Sequence, residues 1–161
     1  MISLTPVGRI KKELLEFLKK YLESLGFSVR IAEPLPLPEG GYNKKRNQYL
    51  VYPFIDLAKL RGHALLITDV DLYIPGSTFI FGYGPGPHAI ISIARLKGTL
   101  LKERMIKEAV HELGHVFSLM HCDNPRCVMH FSNTIEDTDY KNKEFCATCQ
   151  KMWAMNVKVQ D

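Results

Sequence analysis

Residues His111 to Met129 read HELGHVFSLMHCDNPRCVM. The stretch opens with H-E-x-x-H, adds a third histidine six residues after the second, and runs on into two cysteines and a methionine. Residues four apart on a helix lie one above the other, so His111 and His115 can offer two imidazole nitrogens to one ion. Glu112 sits beside the first of them, where its carboxylate reaches a water on that ion rather than the ion itself. Zinc-assisted hydrolysis requires this arrangement.

Two histidines leave such a site one protein ligand short. His121 completes the set if the chain leaves the helix soon after Val116 and turns back. An ordinary amphipathic helix whose histidines repeat at four is the competing reading of H-E-x-x-H alone. With His121, Cys122, Cys127 and Met129 following at close spacing, coincidence becomes a poor account. The longer pattern H-E-x-x-H-x-x-G-x-x-H is the metzincin form, which a methionine turn follows. Here Ser118 stands at the glycine position. A left-handed conformation there costs residues other than glycine roughly 1–2 kcal/mol, which three zinc bonds can offset.

Cys122 and Cys127 flank the turn residues Asn124-Pro125, and Cys146 and Cys149 form a C-x-x-C at the start of a helical stretch. The spacing suits one tetrahedral zinc. A redox-active C-x-x-C and a pair of disulfides are the alternatives. A chain without an export signal and with zinc ligands nearby favours structural zinc, since four thiolates leave no open coordination position.

Taken together, His111, Glu112, His115, His121, Cys122, Cys127, Met129, Cys146 and Cys149 resemble the motif of the archaemetzincins. The motif covers about a quarter of the chain. The resemblance implies a metzincin-like zinc metalloprotease. It further implies that Met129 packs beneath the metal, that residues His130 to Asn133 wall the pocket for the residue after the scissile bond, and that an edge strand pairs with the substrate backbone. Tyr42, Arg46, Gln48 and Tyr49 also resemble the family, although a solvated basic loop leading into a helix is the preferred reading there. His130 fits a ligand by spacing alone, but a catalytic zinc keeps one position open.

At 161 residues the chain is long enough for one domain, 1–161, with a sizeable core and no disulfides. No segment has the apolar length of a membrane span, and Met1 to Lys12 carries no signal-peptide core, which points to the cytoplasm. The net charge is +4, and only Lys44-Lys45-Arg46 forms a basic run. Nucleic-acid binding needs a concentrated basic stripe with stacking aromatics, so no nucleic-acid partner and no membrane partner is expected.

The order of elements predicts an α/β fold with a mixed, mostly parallel twisted sheet. Strands are expected at Ile2–Thr5, Phe27–Ile31, Ala64–Thr68, Thr78–Phe81 and Ala89–Ala94, and helices at Arg9–Leu25, Tyr49–Leu60, Leu101–Phe117 and Phe145–Val157. The connection from Thr78–Phe81 to Ala89 is too short for a parallel crossover, so that strand is expected as an antiparallel edge, with Phe79–Phe81 holding substrate. Asp69 and Asp71 read as loop-capping residues, and His88 as an ordinary loop histidine. The C-terminal helix is expected to be tied down by the four-cysteine zinc site.

The sequence therefore predicts a zinc-dependent peptidase acting on peptide or protein substrates, with two zinc ions per chain. His111, His115 and His121 are the expected ligands of a catalytic zinc and Glu112 the general base. Cys122, Cys127, Cys146 and Cys149 are the expected ligands of the structural zinc. A zinc-containing peptide binder with little turnover is the alternative, raised by Ser118, and a zinc-ribbon-like module is a more distant one.

Overall fold

The computed structural model describes residues 1–59 and 61–160. Strand β1 (Ile2–Val7) is buried at all six positions. Helix α1 (Lys12–Ser24) follows, with Leu14, Leu15, Leu18 and Leu22 as its buried stripe. Gly26 ends it at φ +96°, a left-handed conformation that glycine adopts without a Cβ clash. Strand β2 (Val29–Ile31) then lies parallel to β1, completing a β-helix-β unit. Strands β3 (Tyr42–Asn43) and β4 (Gln48–Leu50) pair antiparallel. Helix α2 (Tyr52–Ala58) carries Pro53 in its first turn, where a missing N–H goes unnoticed. It therefore starts later than predicted, and Leu60, its predicted last residue, lies outside the described residues.

Strand β5 (Ala64–Thr68), β6 (Leu72–Tyr73), β7 (Gly82–Tyr83) and β8 (Ala89–Ser92) complete the strands. The main sheet has the order β2-β1-β5-β8-β7; all its pairings are parallel except β7 with β8. The uninterrupted apolar run of β5 fits its central place, because both faces are covered. Leu65 and Ile67 join α1 and helix α3 (Leu101–Val116) in one core. Ala64 and Leu66 join Phe54 and Ala58 of α2 in the other. Among the described residues no helix is long and apolar enough to cross a membrane.

Two expectations need correction around the edge. The antiparallel strand is Gly82–Tyr83, whereas the predicted strand Thr78–Phe81 makes, among the described residues, an isolated bridge from Ile80 to Leu72 and a bond from Ser92 N–H to the Phe81 carbonyl. The reason is that the carbonyls of Ser77 and Thr78 are taken by side chains. Arg46 Nη2 donates to both, at 2.7 and 3.1 Å, and Gln48 Nε2 donates to Thr78 at 2.9 Å. The segment expected as a solvated basic loop is thus partly structural. Gln48 is buried, Arg46 stacks over Tyr73, and only Lys44 and Lys45 behave as a solvated run. Asp71 accepts from Gln48 and, bidentately, from Arg95, which lies over Phe79.

The end of α3 decides where the third histidine goes. Ser118 adopts φ +68°. Its N–H donates to the His115 carbonyl, and Leu119 N–H donates to that of Gly114. These two bonds form a Schellman motif, with buried Leu119 as its apolar anchor. Helix α4 (Ile135–Tyr140) was not anticipated, although Thr134 and Asp137 give it a complete capping box. Helix α5 (Ala147–Gln160) begins just after Cys146.

Serine thus holds the turn at a conformational cost that glycine lacks. Ser118→Gly should raise the unfolding free energy by up to about 1 kcal/mol, and Ser118→Val should lower it by more than that, in chemical denaturation of the purified protein.

Candidate active site

Helix α3 runs beneath the sheet edge with eleven of its sixteen residues buried, which places His111 and Glu112 inside the protein. The reversal at Ser118 brings His121 back, and the donor atoms of His111, His115 and His121 lie within 4.8 Å of one another. Backbone carbonyls fix two of the rings. His111 Nδ1–H donates to Val128 at 2.8 Å and His115 Nδ1–H donates to Leu119 at 2.9 Å. Burial holds both imidazoles below their ordinary pKa, that of His111 strongly, so both are neutral with bare Nε2 lone pairs. Those two lone pairs face each other at 3.2 Å. Two lone pairs at that separation repel unless a cation sits beside both, so the donor set fits zinc.

Met129 is fully buried against α3, and any Cβ on Gly114 would collide with its Sδ. Gly114 is thus the residue that admits the methionine under the histidines. His130, weighed as a ligand, turns its Nδ1 to the Cys122 carbonyl at 2.8 Å and is not in the histidine group.

Glu112 is covered by the edge strand. A Cβ on Gly82 would lie 2.8 Å from Glu112 Cγ and Oε1, and one on Gly84 would lie 2.8 Å from Oε2. Glu112 Oε2 is buried without a hydrogen-bond partner. Burial, aided by the nearby Glu108 carboxylate, holds Glu112 well above the usual carboxylate range, with the Lys141 ammonium opposing. A raised proton affinity suits a carboxylate whose task is to take up a proton.

A cavity of about 50 Å³ adjoins Glu112 and His111. Phe79, Ile80, Phe81 and Phe131 contribute its apolar lining, and Glu108 and Ser132 its polar lining. Sequence reasoning missed Glu108 and Lys141, which form a buried pair at 3.5 Å. The capping box of α4 was the signal available for the segment that carries Lys141. A roomier depression of about 270 Å³, bounded by Met1, Phe27, Phe117 and Trp153, is lined by neither Glu112 nor the three clustered histidines. His88, expected in a loop, is buried with Nδ1 unpartnered.

The four cysteines also converge, with all Sγ atoms within 4.8 Å of one another and no disulfide among them. Cys127 Sγ accepts the N–H groups of Met129 and Cys146, at 3.4 and 3.3 Å. The Cys149 backbone N–H pulls the Cys146 thiol down to about 7, while burial pushes Cys149 up. Cys146 ionises readily while burial makes Cys127 and Cys149 resist, so a cation beside them would favour their thiolate forms. That chemistry suits zinc.

The family model for "Peptidase family M54" matches residues 9–154. The chain is 43% identical to the archaemetzincin of Pyrococcus furiosus over 172 residues, covering 92% of this chain and 90% of that one. Solved structures are similar as well. The archaemetzincin of Methanopyrus kandleri has a TM-score of 0.86 at 34% identity, covering 98% of this chain and 96% of that one. The archaemetzincin of Archaeoglobus fulgidus, complexed with malonate, has a TM-score of 0.87 at 32% identity, covering 94% and 99%.

The tight fit of the edge strand against Glu112 is testable through its glycines. In Gly82→Ala and Gly84→Ala the added Cβ would also press on the carbonyls of Ile90 and Glu112, so each should shift the strand against the carboxylate and lower kcat about 100-fold, with zinc content unchanged in elemental analysis.

Proposed function

The chain belongs to peptidase family M54 and is a zinc-dependent metallopeptidase; on that premise we propose that His111, His115 and His121 hold its catalytic zinc and that Glu112 is its general base. We assign a second, structural zinc to Cys122, Cys127, Cys146 and Cys149, giving two ions in a single domain spanning the chain. The observation that carries the first assignment is the pair of bare Nε2 lone pairs 3.2 Å apart, with both tautomers set by backbone carbonyls. Convergence of four unpaired cysteines supports the second, and thiols in that form suit the reducing cytoplasm.

When bound, zinc supplies Lewis acidity to the attacking water and to the scissile carbonyl. Glu112 accepts a proton from that water as its oxygen bonds to the carbonyl carbon. It then delivers the proton to the amine nitrogen as the carbon–nitrogen bond breaks, and so returns to carboxylate. The desolvated setting of Glu112 equips it for both directions, because its affinity for the proton is higher than that of an exposed carboxylate. Strand β7 ends the sheet, so its outer backbone groups are free to pair with an extended peptide. The cavity beside Glu112 then receives the side chain that follows the scissile bond. Membership of a peptidase family favours turnover over the peptide-binding alternative.

The deciding experiment is digestion of a mixed peptide library by the zinc-loaded protein beside Glu112→Gln. Cuts by the wild type should fall by about 100-fold or more in the variant, with zinc retained. Equal turnover by a zinc-replete Glu112→Gln would contradict the assignment.

A further inference from the structure

The cavity beside Glu112 has a composition that selects among substrates. Ser132 is more than nine-tenths buried, lines the cavity, and its Oγ has no hydrogen-bond partner. Glu108 lines the same space from α3, buried to 3% exposure. Its Oε1 accepts from Thr138 Oγ1 at 3.0 Å and lies 3.5 Å from Lys141 Nζ. Lys141 Nζ also donates to the His130 carbonyl at 3.1 Å, and Lys107 Nζ donates to the carbonyls of Thr138 and Asp139.

Charge and size narrow the occupant. A cationic side chain would have to be desolvated beside Glu108, whose carboxylate is already paired with the Lys141 ammonium. An anionic one would meet the carboxylates of Glu108 and Glu112. The cavity is small, about 50 Å³, which favours a short side chain over a large aromatic one. The apolar lining from Phe79, Ile80, Phe81 and Phe131 suits a methyl or methylene. An entirely apolar occupant, however, would leave Ser132 Oγ without a hydrogen-bond partner.

Resting on the reading of this cavity as the seat of the residue after the scissile bond, we infer that the enzyme selects a short, uncharged, hydrogen-bonding side chain there (serine, threonine or asparagine), recognised by Ser132 and Glu108. Threonine and valine have the same shape and differ in one hydroxyl, which makes them the sharpest probes.

The test uses zinc-loaded full-length protein and peptides identical except at the residue after the cut. The expected kcat/KM favours Thr over Val, and Asn over Leu, by about tenfold or more. Ser132→Ala should bring the Thr-to-Val ratio toward one. The same peptides are also titrated calorimetrically into zinc-loaded Glu112→Gln, where the affinity order should match. Val or Leu preferred over Thr or Asn would overturn the inference, as would a preference for Lys, Arg, Asp or Glu. An unchanged ratio in Ser132→Ala would do so too. If the wild type cuts nothing, the peptidase assignment fails, and the calorimetric order still decides the pocket: equal affinities for Thr and Val overturn the selectivity, and a Thr preference upholds it.

Discussion

Three donors have to converge on one point, and a helix carrying two of them cannot supply the third. Histidines one turn apart on α3 use up what the helix geometry offers. The remaining donor depends on an immediate reversal of the chain, and the left-handed turn at Ser118 provides it. Leu119 serves both sides of that reversal. Its N–H closes the helix on Gly114, and its carbonyl orients the His115 ring. The segment after it does the same for His111, since the Val128 carbonyl holds that ring and Met129 fills the space left by Gly114.

The four-cysteine cluster is coupled to this geometry by the chain itself. Cys122 follows His121 directly, and Cys127 precedes Val128. Cys122 N–H also donates to the Met129 carbonyl, so the segment after the third histidine is bonded to the methionine turn. A cation bound by the thiolates would therefore brace both returning strands of the histidine site and dock α5 through Cys149. On the opposite side, Glu112 is pressed between α3 and a glycine-lined edge strand. The tightness of that contact raises the proton affinity of Glu112, because the carboxylate loses water and gains no hydrogen bond at Oε2.

Much of this was legible in the sequence, for identifiable reasons. His111, His115, His121 and the cysteines are close in sequence, so short-range geometry alone brings most of them together. The parallel sheet followed from apolar runs such as Ala64–Thr68 and from the order of helices between them. The edge strand was misplaced by about four residues. Phe79 and Phe81 alternate like strand residues, but Arg46 and Gln48 take the carbonyls just before them, a contact across some thirty positions that periodicity does not reveal. Gly82 and Gly84 fall in the connection between two predicted strands, and their reason for being glycine lies on α3. Glu108 and Lys141 were missed for the same reason: each is an ordinary surface-type residue until α4 folds over the helix and buries both.

The two donor sets are proposed to hold two separate metal ions. The most direct measurement is anomalous diffraction across the zinc absorption edge from crystals of the zinc-loaded protein. Two anomalous peaks are predicted, one bonded by the imidazoles of His111, His115 and His121 alone among protein groups, the other by the four cysteine sulfurs. A single peak, or zinc bound by His130 or a cysteine together with the α3 histidines, would contradict it.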